Sequence, residues 1–434
     1  MNLYLVIILV VLMGQYLLSL VVERLNIKHL NPELPNEFKG FYDEDKYAKS
    51  QRYARENSTF GLIQSTISIA VIIPFILLGG FNAVDKVARS AGYGPIITGL
   101  LFVGILALLS GIIGLPFAVY DNFVIEEKYG FNKTTVKTFI LDIIKSVLLS
   151  IIIGAPLFAV IVWFFRETGA LAPLYIWVIV TLFQLFMMLI APTVIMPLFN
   201  KFTPLEAGEL KDTLEKYARE NDFHLKGIFK MDESKRTTKP NAFFTGLGKS
   251  RRIVLYDTLI EKYSSDELLT TLAHEMGHYK LKHTPKMVIA AILETGLLFF
   301  TLSLFINNSE LFAAFKMESL SVYASLVFFG FLYSPISTMI SIVMNIFSRK
   351  REYEADRFAV ETTGKGEEMM TALKKLSIDT LSNLTPHPLK VFFYYSHPPV
   401  LARIKAIKAL ILPPAASGGS FLSISCKSLQ KKGF

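Results

Sequence analysis

Apolar stretches long enough to cross a hydrocarbon layer of roughly 30 Å recur along the chain at Leu3–Val22, Gly61–Val84, Pro95–Val119, Ser146–Phe165, Pro173–Phe199, Met287–Ile306 and Ser321–Phe347. The pattern predicts seven membrane helices. Several carry Pro or Gly, such as Pro74, Gly79, Gly80 and Pro156, which neighbouring helices can accommodate. Leu3–Val22 lacks a basic leader and a small-residue cleavage site, so it reads as a first membrane helix and not as a removed signal. Between the fifth and sixth stretches the pattern changes. Pro204–Asp222 has helical spacing through Leu205, Leu210, Leu214 and Tyr217. Lys226–Met231 and Arg252–Tyr256 read as strands, with Asn241–Gly246 a third, short candidate closed by Gly246 and Gly248. Ser264-Ser-Asp-Glu267 is a capping box that starts another helix.

These elements divide the chain into five membrane helices with their connections (1–199), a loop domain (200–286), two further membrane helices (287–347), a polar C-terminal part (348–412) and a flexible tail (413–434). Composition agrees: 52% hydrophobic residues, 19% charged and a mean hydropathy of +0.43 exclude an ordinary soluble domain. The net charge of +9 is not gathered into a basic tract interleaved with aromatics, so no nucleic-acid partner is expected. Lys plus Arg in the successive segments after each stretch number 7, 2, 4, 1, 16, 1 and 14. The rich segments alternate with the poor ones. The positive-inside rule then places the first, third and fifth connections and the C-terminal part in the cytoplasm, and the N-terminus on the other side. Arg349–Arg351 at the end of the seventh stretch reads as an interfacial anchor. The single Cys426 excludes a disulfide framework and a cysteine zinc site.

The capped helix contains His274-Glu275-x-x-His278. Four-residue spacing puts both imidazoles on one face, able to share a metal, with Glu275 beside them as general base for a water. With 7 His in 434 residues, an accidental match is on the order of one in a hundred. A catalytic zinc wants three protein ligands and one open position. Glu352, on the same predicted side and close to the membrane boundary, is the candidate third ligand. Asp356, one turn on, is the candidate outer partner of a ligand histidine; a solvated acidic helix face is the alternative for both. Tyr395–Arg403 offers His397 and Arg403 as donors to a developing oxyanion, although a His before two prolines also reads as a turn residue. His29, His224, His283 and His387 lack ligand spacing and read as structural, His283 being expected to point elsewhere on the helix of His278. Asn241–Phe244 is either an exposed edge that pairs with an extended substrate or an internal strand packing Phe243 and Phe244. Glu294, inside the sixth stretch, faces protein interior or water, or serves helix packing.

From the first connection to Lys408, the sequence resembles the type I CaaX prenyl proteases. The resemblance rests on Phe123-Val-Ile-Glu-Glu-Lys-Tyr-Gly-Phe-Asn-Lys-Thr-Thr135, Pro197-Leu-Phe-Asn-Lys-Phe-Thr-Pro-Leu205, Ser234-Lys-Arg with Asn241-Ala-Phe243, His274-Glu-Met-Gly-His278, Glu352-Tyr-Glu-Ala-Asp356 and Ser396-His-Pro-Pro399. It implies a mainly α fold: a seven-span transmembrane helical barrel around a water-filled chamber that would house Glu294, with a cytoplasmic α+β zinc metallopeptidase domain built on a small mixed sheet. It implies one Zn2+ held by His274, His278 and Glu352, with Glu275 as base and His397 and Arg403 at the transition state or substrate; Asn241, Ala242 and Phe243 of the candidate edge are the expected substrate contacts. The implied activity is removal of the C-terminal tripeptide from proteins prenylated at a Cys, in contact with membrane lipid. Thr238-Lys-Pro-Asn241 departs from the family, because many eukaryotic members carry a His just before the Asn-Ala-aromatic strand; the departure bears on substrate preference. The compact chain favours a bacterial inner membrane, or the endoplasmic reticulum membrane in a eukaryote. Competing expectations are a quality-control membrane metalloprotease acting on unmodified or misfolded proteins, and a membrane scaffold or transporter with a structural zinc.

Overall fold

A computed structural model describes residues 2–223, 225–246 and 251–412. His224, Gly248 and the tail at 413–434, singled out above, lie outside the described residues. Seven helices are long and apolar enough to cross a membrane: Leu3–His29, Glu44–Leu77, Pro95–Tyr129, Val136–Glu167, Gly169–Leu198, His283–Ser303 and Val322–Thr363. They pack in a ring. The first lies against the second and seventh, the third against the fourth, the fourth against the fifth, the fifth against the sixth, and the sixth against the seventh, which also meets the third and fourth. Within the most apolar stretch of each helix, only 6 to 17% is buried, too little for a solid bundle in which each helix sinks a broad stripe into its neighbours. At the end remote from the sheet, aromatic packing closes the ring: Phe81 meets Phe315 and Phe328 edge-on at 5.2 and 5.4 Å, and Phe315 stacks on Phe328 at 3.9 Å.

The second membrane helix ends earlier than the apolar pattern predicts. Gly79 adopts a left-handed conformation (φ 77°) and a separate helix, Gly80–Ser90, follows. A Cβ on Gly80 would lie 2.4 Å from the Phe75 ring, so the chain turns where only glycine fits. The seventh helix ends later. It continues from the membrane to Thr363 as one helix of 42 residues, and so delivers Glu352 and Asp356 rigidly to the polar domain.

That domain holds a four-stranded sheet in the order β1-β2-β4-β3. β1 is Phe202–Pro204, β2 Gly227–Met231, β3 Ala242–Thr245 and β4 Arg252–Tyr256. β2 and β4 are parallel, whereas the two outer pairings are antiparallel. The short β1 has no counterpart in the expected strands. β3 is an edge of the sheet among the described residues. Phe244 still packs on Phe223 at 5.3 Å, so an edge strand and an anchored aromatic coexist. The helix predicted over Pro204–Asp222 forms over Glu209–Glu220. Ile228, Leu255, Leu214, Leu272, Met276, Ala359 and Ile404 share one core with Phe38, Tyr42 and Tyr47 of the first connection. Each large side chain so buried contributes about 1.5–3 kcal/mol, and the first connection thereby ties the first two membrane helices to the polar domain.

Candidate active site

The helix Ser265–Lys280 begins as its sequence requires. Glu267 Oε2 accepts the Ser264 amide at 2.8 Å, and Ser264 Oγ accepts the Glu267 amide at 3.3 Å. Lys375 adds an ion pair to Glu267 at 2.8 Å, fixing the helix start against a neighbouring helix. This helix crosses the extension of the seventh membrane helix at Gly277, where an added Cβ would stand 3.2 Å from the Ala355 Cα and from Phe358. Because position 277 has no side chain, the two helices that carry the candidate ligands approach closely.

His274, His278 and Glu352 converge there. The two Nε2 atoms are 3.1 Å apart, and they lie 3.4 and 3.3 Å from the nearer oxygens of Glu352. Such separations suit neighbouring corners of a tetrahedron with bonds of about 2.0–2.1 Å. Hydrogen bonding supports the fit. His274 Nδ1 is 2.8 Å from Asp356 Oδ1, so the proton belongs on Nδ1 and the Nε2 lone pair points at the centre. His278 Nδ1 is 3.0 Å from Nδ1 of His283, whose Nε2 is 3.0 Å from Glu354 Oε2. With Glu354 accepting from His283 Nε2–H, His283 Nδ1 must accept from His278 Nδ1–H. Both ligand histidines thus present bare Nε2 atoms that cannot bond each other, and Glu352 Oε2 is buried without a hydrogen bond. A divalent cation satisfies all three. Burial alone would push the His274 imidazole down, but the facing Asp356 and Glu352 carboxylates outweigh it and push it up to about 9. Positive charge is stabilised where the ligands meet.

His283 is a correction to the sequence reading. Lys282 adopts a left-handed conformation (φ 56°) that ends the helix, and His283 opens the next one, Lys286 and the membrane residues following it. It does not point away along one helix but folds back, almost fully buried, onto His278. No fixed spacing marks such a partner. The only sequence signal is a His within a few residues of the motif, followed by a break. Arg349 is the second correction. Expected as a lipid anchor, it donates through Nη1 to the Tyr395 carbonyl at 2.5 Å and the Val391 carbonyl at 3.1 Å, holding the segment that leads to His397.

Arg403 forms a two-pronged pair with Asp356, Nε to Oδ2 at 2.8 Å and Nη2 to Oδ1 at 2.5 Å, and its Nη1 lies 3.5 Å from Glu352 Oε2. His397 is 64% exposed, with Nε2 3.5 Å from Glu352 Oε1 and Nδ1 2.9 Å from Ser396 Oγ. Glu275 is half-buried and has no hydrogen-bond partner among the described residues. It lines two cavities. One, of about 180 Å³, includes Asn241, Ala242, His397 and Arg403, with Leu373 and Leu376 on its apolar wall. The other, of about 560 Å³, runs past Phe244 and His278 to Leu185, Met188 and Met287 of the fifth and sixth membrane helices.

β3 passes both cavities. Its register pairs Ala242 with Leu255 and Phe244 with Ile253, and the Tyr256 amide donates to the Asn241 carbonyl at 3.0 Å. In an antiparallel ladder the bonded pairs alternate, so Asn241, Phe243 and Thr245 bond β4 while the backbone groups of Ala242 and Phe244 face outward, the Ala242 amide donating to Asn241 Oδ1 at 2.9 Å. Phe243, predicted along the substrate, lies 6.2 Å edge-on from Tyr256 of β4 and does not line either cavity. Lys239, at the departure from the family pattern, points away from the metal ligands. It pairs with Glu126 at 2.6 Å, bonds Tyr53 at 2.9 Å and covers the Phe131 ring.

Comparison with known proteins accounts for nearly the whole arrangement. Residues 23–201 match the family model described as CAAX prenyl protease N-terminal, five membrane helices, and residues 204–411 match peptidase family M48. A CAAX prenyl protease 1 homolog of Arabidopsis thaliana is 37% identical, over 87% of this chain and 90% of its own length. CAAX prenyl protease 1 of Saccharomyces cerevisiae is 34% identical, over 89% of this chain and 90% of its own. The crystal structure of S. mikatae Ste24p superposes with a TM-score of 0.89 at 33% identity, covering 93% of this chain and 99% of that one. The quality-control and scaffold alternatives are not favoured. With two helices bearing His274, Glu275, His278 and Glu352 at the mouth of a seven-helix ring, the chain belongs to the CAAX prenyl protease branch of peptidase family M48, the integral-membrane zinc metalloendopeptidases.

Proposed function

We propose that this protein hydrolyses a peptide bond near the C-terminus of prenylated CaaX-type proteins, using one Zn2+ held by His274, His278 and Glu352. The carrying observation is the convergence of these three ligands beside an edge strand and between two cavities of different character. Zinc bound there supplies a water of lowered pKa and a polarised carbonyl. Glu275 takes the proton of the attacking water and passes it to the leaving amine, a transfer it can make because no group among the described residues engages its carboxylate. His397, exposed and held by the Arg349-supported segment, donates to the developing oxyanion. Arg403 acts through Asp356 as a positioning residue, locking the carboxylate that orients His274.

An extended substrate adds to β3 through the outward backbone groups of Ala242 and Phe244, with Asn241 beside them. The small cavity with Leu373 and Leu376 suits the short aliphatic residues of a C-terminal tripeptide. The larger cavity against the membrane helices suits a lipidated cysteine. We place the site on the cytoplasmic side, on the strength of the alternating Lys and Arg content of the connections.

The test compares a farnesylated CaaX peptide with its unmodified counterpart. Faster cleavage of the farnesylated peptide is expected, and equal rates would remove the prenyl claim. Glu275→Gln should keep the metal and lose about 10²–10⁴-fold in rate; undiminished hydrolysis in that variant would sink the assignment of the base.

A further inference from the structure

The end of the ring remote from the sheet is poor in cations. The three connections there contain Lys86, Arg89, Arg166 and Lys316 and no other Lys or Arg. Lys86 is engaged by Glu318 at 2.6 Å, and Lys316 lies against Gly79. The remaining two, from different connections, line one cavity of about 560 Å³. Arg89 comes from the helix Gly80–Ser90 and Arg166 from the end of the fourth membrane helix. Thr98, Asn307 and Ser321 complete the polar lining.

The charges in this cavity do not balance. Arg89 gives Nε to Asp85 at 2.6 Å, and the other oxygen of that buried carboxylate accepts the Tyr323 hydroxyl at 2.5 Å. This holds the Arg89 guanidinium in place while using one of its three nitrogens. Arg166 has no carboxylate within 4.0 Å among the described residues. Of the two guanidiniums, only that of Arg89 is paired with a carboxylate among the described residues. The third and seventh membrane helices also begin at this cavity, after Gly94 and Ser321, and neither start has a side-chain cap. Their free amides and positive dipole ends add to the same field.

Position narrows the ligand. Val322 of the cavity wall and Glu352 of the metal site are thirty positions apart on one helix, or about 45 Å at 1.5 Å per residue. That exceeds a hydrocarbon thickness of roughly 30 Å, so the cavity sits at headgroup depth on the interface opposite the active site. Two guanidiniums lining one cavity at headgroup depth match a phosphate group in charge and hydrogen-bonding capacity. We propose that this cavity binds the phosphate of an anionic membrane phospholipid, a site independent of the peptidase centre.

The full chain, purified in neutral detergent, would be titrated with short-chain phosphatidylglycerol, short-chain phosphatidylcholine and inorganic phosphate, with bound species counted by native mass spectrometry. Phosphatidylglycerol is expected to bind best, and Arg166→Gln to weaken it about tenfold or more, with Arg166→Lys retaining part of the affinity. Unchanged peptidase activity in Arg166→Gln would show that the fold is intact. Inorganic phosphate binding as tightly as the lipid, with the same loss in Arg166→Gln, would support the phosphate site and assign its source to solution. Binding of phosphatidylglycerol that is equal in wild type, Arg166→Gln and Arg89→Gln would overturn the proposal.

Discussion

His283 shows how much of the proposed metal centre lies outside its motif. The two ligand histidines and Glu275 are legible in the sequence because helical periodicity fixes their relation before any tertiary contact forms. Glu352 and Asp356 are legible as a pair one turn apart, although what brings them to the histidines is not. His283 and Glu354 are invisible, since they act across a helix break and across 71 positions. The tautomer argument makes them testable. Outer-shell partners of ligand histidines typically support 10–100-fold in metal affinity. His283→Ala should therefore weaken zinc by about that factor in a competition assay with a fluorescent chelator. His283→Gln, which can both accept from His278 and donate to Glu354, should recover part of it. Equal affinity in wild type and His283→Ala would show that His278 needs no outer partner.

At the level of elements, two contacts decide whether the site assembles. The first is the crossing at Gly277. Replacing glycine by alanine inside a helix ordinarily gains about 1 kcal/mol, but a Cβ 3.2 Å from the Ala355 Cα requires the helices to yield by a few tenths of an ångström. The two effects nearly cancel, so Gly277→Ala should be close to neutral. Gly277→Val overfills the crossing at a cost of about 1–3 kcal/mol and forces apart the helices that carry His274 and Glu352. It should lower both the thermal midpoint and zinc affinity, and normal zinc binding in that variant would mean that the close crossing is unnecessary. The second contact is the free edge of β3. Ala242→Pro deletes one outward amide, which in the free protein is held by Asn241 Oδ1, while leaving the bonded pairs with β4 untouched. A lost hydrogen bond of about 0.5–1.5 kcal/mol predicts a KM for extended peptides raised about two- to tenfold, with zinc content unchanged. A normal KM would place the substrate elsewhere. Strand positions were largely readable from alternation, but whether β3 lay inside the sheet or at its edge was not. Alternation specifies the faces of a strand and says nothing about its neighbours.

For the molecule as a whole, the number of membrane helices follows from apolar length alone, because hydrocarbon demands that each segment satisfy its own backbone. Their arrangement as a ring does not. A second global property, the alternating charge of the connections, predicts orientation and offers a direct check. Cys426 is the single cysteine of the chain, so a membrane-impermeant maleimide reports on the C-terminal side without any engineering. Labelling of inside-out but not right-side-out vesicles is expected; the reverse pattern would invert the topology and with it the proposed cytoplasmic site.

Local periodicity was enough to read the seven spans, the capped helix, the spacing of His274 and His278 and the charge asymmetry, since each depends on residues close in the chain or on counts along it. The fold alone decided that the seventh helix runs unbroken to Glu352 and that glycine at 277 admits the crossing. It also decided that Arg349 braces the His397 segment and that His283 turns back to hold His278. Those relations depend on which distant surfaces meet, and packing, unlike periodicity, leaves no regular trace along a single chain.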